Sequence, residues 1–169
     1  MKLELYTMDG NGTGYLEYRE QLLCDIPQMA CDKRYYHLGI DVNAPAGTQI
    51  CSPFDAEVVI SEYETGKGNY GGMVVIKVDD YYILFGHLDP NTIIPVGNRL
   101  AKGQLIGRLG DESCNGDWFP HLHLQVLTER AYQEGWVSKG YCTVEDLPRI
   151  HEFCPDPMYI LDENIIGEH

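Results

Sequence analysis

The sequence lacks any apolar run that approaches the roughly 18 residues needed to cross a lipid bilayer. Its first residues, MKLELYTMDGNGTG, include one lysine but neither the apolar segment nor the small-residue cleavage site of a secretory signal. We therefore predict that the protein does not insert into membranes and that it is cytoplasmic. A periplasmic or secreted location is the alternative if a leader has been removed.

Basic residues are scarce in this chain. Against 26 Asp and Glu there are only 12 Lys and Arg, which gives a formal net charge of −14 over 169 residues. Proteins bind nucleic acids by neutralising phosphates with cations, and anionic membranes attract basic segments in the same way. We therefore expect neither a nucleic-acid partner nor attachment to an anionic membrane surface.

The sequence also lacks a C-x-x-C pair, so it does not predict a zinc knuckle built from cysteines. A chain of this length buries enough surface to fold without disulfides. We therefore expect the six cysteines to be free and mostly buried thiols. A secreted domain held together by disulfides, with incidental histidines, is the weaker alternative. The cysteines are Cys24, Cys31, Cys51, Cys114, Cys142 and Cys154.

Strand patterns are more frequent than helical ones. Segments rich in β-branched and aromatic residues predict strands, and Asp79-Asp80 predicts a tight hairpin turn. Many short strands separated by turns favour an antiparallel sheet, in a sandwich or a barrel-like fold. The predicted strands are residues 57–64, 72–80, 81–88, 104–110 and 121–127, with residues 2–6 as an edge strand.

Helical signals are confined to two regions. Residues 15–26 predict either a helix or a loop with a helical turn. Residues 143–153 predict a helix that Thr143 caps and that Pro148 divides or shortens. We expect the following segment, CPDPMYIL, to be extended.

Two histidines, His121 and His123, lie in the apolar stretch WFPHLHLQVL. Side chains in a strand alternate between its faces, so both imidazoles project to one side and the intervening leucines to the other. At roughly 6–7 Å apart along the strand they can converge on one metal ion. Two solvated surface histidines are the alternative for this motif taken alone.

Two further segments carry residues of the same chemistry. His37 and Asp41 are four residues apart in HLGIDVNAPAGT, where Gly39 and Pro45 disfavour a helix. In an extended or turning segment the two side chains also share a side of the chain. His87 ends the apolar strand YYILFGHL, a place where functional side chains often lie.

These histidines and the aspartate together predict metal-assisted hydrolysis. His37, Asp41 and one of the paired histidines offer two nitrogens and one oxygen. Three protein ligands with an open fourth position are typical of a catalytic zinc site. The two remaining imidazoles, with an ordinary pKa of about 6.5, suit proton transfer.

At this point the sequence resembles the M23 zinc metallopeptidases, the lysostaphin and LytM-like group of peptidoglycan endopeptidases. The blocks that carry the resemblance occur in order between residues 36 and 127: HLGIDVNAPAGTQI, YYILFGHL, KGQLIGRLG and PHLHLQV. The resemblance implies a mainly β fold of the lysostaphin/LytM-like (duplicated hybrid motif) type. It also implies a site in a groove on the antiparallel sheet.

The resemblance further implies a role for each polar residue. The metal ligands are His37, Asp41 and His123, and the cofactor is Zn²⁺. A zinc-activated water then attacks an amide carbonyl. His121 is expected to be the general base and His87 to stabilise the oxyanion, although the two roles could be exchanged.

Two features depart from the family pattern. Ala56 stands where the family often has a glycine, and the chain continues far beyond Leu127. The stretch LGDESCNGDWFPHLHLQV and the later CPDP are similar to M23-type domains inside cytoplasmic multidomain proteins, between a kinase-like and an aminotransferase-like domain. In that setting peptidoglycan need not be the substrate.

We therefore predict three regions and one function. Residues 1–35 form a strand and loop extension, residues 36–128 the zinc peptidase core, and residues 129–169 a partly helical extension packed on the core. The predicted function is hydrolysis of a peptide bond, as a peptidase or amidase, in a peptidoglycan cross-bridge or a small peptide. The alternative is a metal-holding, non-catalytic module that binds or regulates a partner inside the cell.

Overall fold

An antiparallel sheet of seven strands forms the centre of the computed structural model, which describes residues 4–6 and 14–160. The strand order is β1-β3-β10-β7-β6-β5-β8, and β11-β2 and β4-β9 form two small sheets. The strands are β1 (Glu4–Tyr6), β2 (Tyr36–His37), β3 (Ile40–Asn43), β4 (Gln49–Cys51), β5 (Ala56–Glu64), β6 (Gly71–Val78), β7 (Tyr81–Leu88), β8 (Arg99–Leu100), β9 (Leu105–Arg108), β10 (His121–Thr128) and β11 (Tyr141–Cys142).

The predicted fold class is confirmed, and the turn between β6 and β7 is the predicted hairpin. Val78 pairs with Tyr81 across the two aspartates, and Asp79 has a φ of 53°. Aspartate tolerates this left-handed conformation better than most residues. The two-residue connection then continues the strands in register.

One face of the large sheet is covered by the β4-β9 sheet. The side chains between the two layers form a core of fully buried aliphatic and aromatic groups, among them Ile40, Ile50, Phe85, Ile106 and Leu124. Leu122 and Leu124 of β10 point into this core, so His121 and His123 project from the opposite face, as their alternation predicts.

The opposite face is covered by the C-terminal part of the chain. Trp136 and Phe153 stack with ring centroids 4.4 Å apart, and both pack in a buried cluster with Leu84 and Leu127 of the large sheet. Residues after β10 therefore contribute to the protein core. The division of the chain into three regions stays a prediction.

The helical segments are short. They are α1 (Glu20–Leu23), α2 (Pro27–Ala30) and α3 (Glu129–Gln133), with 3₁₀ helices at Trp136–Ser138, Val144–Glu152 and Pro157–Ile160. The region 15–26 is thus a loop with one helical turn, the second of the two predicted alternatives. None of the helices in the described residues is long and apolar enough to span a membrane.

Three expectations about local structure were wrong. Pro148 lies inside one continuous 3₁₀ helix, and Thr143 and Asp146 form a capping box at the start of that helix. Residues 157–160 form a 3₁₀ helix instead of an extended segment. The six cysteines are free, but only Cys142 and Cys154 are buried, because the others lie in exposed turns or at sheet edges.

Candidate metal centre

Strands β3 and β10 bring together the residues that the two histidine motifs supply. Asp41 pairs directly with His123 in the antiparallel ladder, and His37 ends β2 just before β3. Gly39 makes this approach possible, since a Cβ there would lie 2.4 Å from the Leu124 carbonyl oxygen and 3.1 Å from His123 Nε2. The H-x-x-x-D spacing is therefore a turn between two strands that returns both side chains to one point.

Three donor atoms converge at that point. His37 Nε2 lies 3.1 Å from His123 Nδ1 and 3.2 Å from Asp41 Oδ1, and His123 Nδ1 lies 3.6 Å from the same oxygen. Zinc bonds to nitrogen and oxygen of about 2.0–2.2 Å give a tetrahedron with edges of about 3.3–3.6 Å. The three atoms are thus spaced as three corners of a zinc tetrahedron, and all three residues are buried.

The imidazoles are held so that a lone pair faces the centre. His37 Nδ1 lies 3.0 Å from the Gly14 carbonyl oxygen, and His123 Nε2 lies 2.8 Å from Gln125 Oε1. Both acceptors require an N–H on that ring nitrogen, so the other nitrogen is unprotonated in the neutral ring. Burial lowers the pKa of His37 to about 4, which keeps the ring neutral and able to bind a metal at pH 7.

Asp41 is ionised although it is buried. Burial alone would raise its pKa, but the neighbouring imidazoles of His37 and His121 hold the pKa well below its usual range. Its Oδ2 accepts a hydrogen bond of 2.6 Å from Arg19 Nη1. Its Oδ1, which faces the imidazoles, accepts none within the described residues. Burying a charged carboxylate oxygen without a hydrogen bond lowers the stability of the fold unless a cation binds that oxygen as a ligand.

His121 and His87 lie beside the three donor atoms. The His121 ring donates from Nδ1 to the Phe119 carbonyl at 2.8 Å, and its Nε2 lies 3.6 Å from Asp41 Oδ1. The His87 ring donates from Nδ1 to the Asn115 carbonyl at 2.7 Å, and the two ring centroids are 4.4 Å apart. Burial lowers the pKa of both imidazoles, so both Nε2 atoms are unprotonated at neutral pH.

His87 has a left-handed backbone, with a φ of 68°. The residue lies where the β6-β7 pairing shifts register, so it is part of a β-bulge. Its N–H donates to the Tyr70 carbonyl at 2.7 Å and its carbonyl accepts from Gly110 at 3.0 Å. These bonds offset a conformational cost of about 1–2 kcal/mol, and the bulge re-aims the imidazole towards the site.

A narrow cleft with a cavity volume of about 40 Å³ opens beside the site. His87, His123, Trp118 and Tyr70 line its inner end. The Tyr70 ring is buried, 5.4 Å from the ring of His123, and its hydroxyl has no hydrogen-bond partner among residues 4–6 and 14–160. The cleft is also lined by the charged side chains Arg34 and Glu64 and by Gln28, Asn69 and Ser138.

All five residues predicted from the sequence meet in this one site, and Trp118 lines the cleft. Sequence reasoning missed the groups that orient them. Gln125 could have been found, because it continues the face of β10 that carries both histidines. Arg19, Asn115 and Tyr70 lie in loops outside the histidine motifs, and no local pattern marks them.

The fold and the buried cluster together define a metallopeptidase-type site on an antiparallel sheet. A family model described as Peptidase family M23 matches residues 35–134, which is more than half of the chain. The chain therefore belongs to peptidase family M23.

Two relatives show how far the similarity extends. The peptidoglycan DD-endopeptidase ShyC of Vibrio cholerae is 38% identical over 93 residues, which are 54% of this chain and 20% of that protein. The antimicrobial peptidase lysostaphin of Staphylococcus simulans has the same fold, with 24% identity and a TM-score of 0.52 over 70% of this chain and 42% of that one. The chain thus spans about a fifth of the length of its curated relative.

Proposed function

We propose that this protein is a zinc-dependent endopeptidase that hydrolyses a peptide bond in a peptidoglycan-type or other small peptide substrate. The observation that carries the proposal is the convergence of His37 Nε2, Asp41 Oδ1 and His123 Nδ1 within 3.1–3.6 Å of one another. Two more imidazoles flank this cluster without belonging to it. A module that only stores a metal has no use for them.

The donor set fits zinc. Two neutral imidazole nitrogens and one carboxylate oxygen are the three protein ligands of many catalytic zinc sites, which keep their fourth position open. A zinc ion held there would supply Lewis-acid chemistry, acidifying a water and polarising the amide carbonyl. His37, Asp41 and His123 are the residues that would hold it.

We assign His121 as the general base. Its Nε2 is unprotonated in the neutral ring and lies 3.6 Å from Asp41 Oδ1. It can therefore take a proton from the attacking water at the edge of the metal cluster. The Phe119 carbonyl stabilises the imidazolium that forms, because it accepts the hydrogen bond from Nδ1.

Tyr70 and His87 line the cleft beside the metal cluster. Neutral His87 cannot donate from Nε2 while Nδ1 donates to Asn115, so it stabilises an oxyanion only after taking up a proton. The Tyr70 hydroxyl donates in its ordinary neutral form. We assign Tyr70 as the neutral donor to the substrate carbonyl, and we assign His87 as the second proton carrier.

The cleft suits a peptide with charged groups near the scissile bond. Arg34 and Glu64 line the cleft, so a bound peptide would meet both a cation and an anion there. ShyC is named a peptidoglycan DD-endopeptidase, and cross-bridge peptides carry both amino and carboxyl groups. We therefore include peptidoglycan peptides among the proposed substrates.

Metal analysis and point variants test the proposal together. The purified protein should contain about one zinc per chain, and Asp41→Ala should lose it because the carboxylate is a ligand. His121→Ala should keep the zinc but lose peptidase turnover by at least about 10²-fold, because it removes the general base. The control is His151→Ala, at an exposed histidine remote from the cluster.

Two turnover assays distinguish between the proposed substrates. Turnover is measured on purified peptidoglycan and on a set of soluble peptides with charged or neutral termini. Cleavage of either substrate that disappears in His121→Ala supports the enzyme. Zinc binding without cleavage of any of them favours the non-catalytic, metal-holding module.

A further inference from the structure

A short segment upstream of the family match, residues 14–19, lies directly behind the metal cluster. It runs beside β2 through three backbone hydrogen bonds: Leu16 N–H to the His37 carbonyl at 2.7 Å, His37 N–H to the Glu17 carbonyl at 3.1 Å, and Arg19 N–H to the Tyr35 carbonyl at 2.8 Å. The Gly14 carbonyl accepts from His37 Nδ1 at 3.0 Å. The segment is therefore tied to the strand that carries the first ligand.

Arg19 projects from this segment to the second ligand. Its side chain is 1% exposed, although a guanidinium is costly to bury without partners. Nη1 donates to Asp41 Oδ2 at 2.6 Å, and Nε donates to Glu17 Oε1 at 2.8 Å. Burial opposes the charge, but the Asp41 carboxylate raises the pKa of Arg19 above its ordinary value, so the guanidinium is charged.

This contact gives the two carboxylate oxygens of Asp41 different partners. Oδ2 is bonded to Arg19, whereas Oδ1 lies 3.2 Å from His37 Nε2 and 3.6 Å from His123 Nδ1. A carboxylate that is free to rotate can bind a metal through one or both oxygens. A carboxylate whose outer oxygen is held by a fixed donor presents the other one only.

We propose that Arg19 is a positioning residue of the metal centre, which fixes Asp41 as a one-oxygen ligand and keeps the site four-coordinate. The inference rests on the proposed zinc site and extends it to a residue outside the 35–134 match. The planar guanidinium is required because it bonds Asp41 and Glu17 at once in a fixed geometry. A lysine ammonium keeps the charge but not that geometry.

Arg19→Lys tests the proposal, with Arg149→Lys as the matched control. Arg149 also bonds a carboxylate, Glu152 Oε2 at 2.8 Å, but its side chain is 57% exposed and remote from the metal cluster. Zinc affinity is measured by competition with a chelator, and thermal unfolding is measured on the metal-free protein. The coordination number is read from the visible absorption of the Co²⁺-substituted protein, which is intense for four-coordinate cobalt and weak for higher coordination.

In Arg19→Lys we expect a 10- to 100-fold loss of zinc affinity, of the size seen for other residues that orient metal ligands, and a weaker cobalt band. The metal-free protein should unfold at nearly the wild-type temperature. Arg149→Lys should match the wild type in all three measurements. A cobalt band and a zinc affinity that are unchanged in Arg19→Lys would overturn the proposal.

If Arg19→Lys does not fold, Glu17→Gln tests the same proposal. This variant weakens the second anchor of the guanidinium, so the cobalt band should weaken, and an unchanged band would overturn the proposal. Failure of the proposed activity can be told apart from failure of this inference. A wild-type protein that binds zinc but cleaves no peptide refutes the activity alone, since none of these readouts depends on turnover.

Discussion

At the scale of single residues, the site depends on which nitrogen of each imidazole carries the proton. Carbonyl or amide oxygens at Gly14, Phe119, Asn115 and Gln125 accept from the outward nitrogen of the four histidines. Each acceptor leaves a lone pair directed at the cluster. The chemistry of the site is thus set by groups that neither bind the metal nor touch the substrate.

Tyr70→Phe tests a residue-scale assignment. The Tyr70 hydroxyl is buried and has no partner in the described part of the chain, so removing it should leave stability unchanged or raise it by up to about 1 kcal/mol. Loss of the donor to the carbonyl should lower turnover by about 10²-fold. Tyr81→Phe, at an exposed tyrosine, is the control and should change neither quantity. A less stable protein with normal turnover would show that the hydroxyl serves the fold.

At the scale of secondary-structure elements, close approach between strands decides where the ligands meet. The turn between β2 and β3 passes over β10 so closely that only glycine fits at position 39. The bulge in β7 likewise turns His87 out of the regular ladder. Both features depart from regular strand geometry, and both direct side chains towards one point.

Gly39→Ala should separate the geometry of the site from overall stability. The new Cβ would lie 2.4 Å from a backbone oxygen of β10, so we expect a loss of about 1–3 kcal/mol together with weaker zinc binding. Gly47→Ala is the matched control: its φ of +88° costs about 1–2 kcal/mol, but nothing lies within 4 Å of the new Cβ. Denaturant unfolding should show similar losses of stability in the two variants, whereas only the Gly39 variant should lose zinc affinity. Equal zinc affinity in the two variants would contradict this reading.

At the scale of the whole molecule, both faces of the large sheet are covered by other parts of the chain. The β4-β9 sheet covers one face, and residues 129–154 cover the other around Trp136 and Phe153. The site lies on the second face, between the segment 14–19 and the C-terminal region. The backbone carbonyl of Lys139 accepts a hydrogen bond from Gln125 Nε2 at 3.0 Å, so this region also supports a residue that orients His123. Segments outside the family match thus complete the surroundings of the site.

Trp136→Ala tests whether the C-terminal region is part of the core. The indole is buried against Phe153, so its removal should cost about 3–5 kcal/mol in the free energy of unfolding. Met158→Ala, at a side chain that is 39% exposed, should stay within about 0.5 kcal/mol of the wild type. Denaturant titration measures both variants. Equal stability of the two would mean that residues 129–154 pack only loosely on the sheet.

The sequence by itself determined the class of fold and the polar residues that meet. Alternation with period two fixed the face on which His121 and His123 lie, and turn residues fixed the β6-β7 hairpin, because both are local properties of the backbone. Local sequence signals predicted the structure less well near Pro148 and at residues 157–160. The chain forms 3₁₀ helices at both places, and the first of them begins with a capping box.

Only the tertiary structure decided which oxygen of Asp41 faces the centre, which nitrogen of each imidazole is free, and that Arg19 and Tyr70 belong to the site. These depend on contacts between residues distant in the chain. Arg19 and Asp41, for example, are 22 positions apart, and the His87 ring and the Asn115 carbonyl that orients it are 28 apart. No local pattern encodes such a contact, because it exists only once strands and loops have packed together.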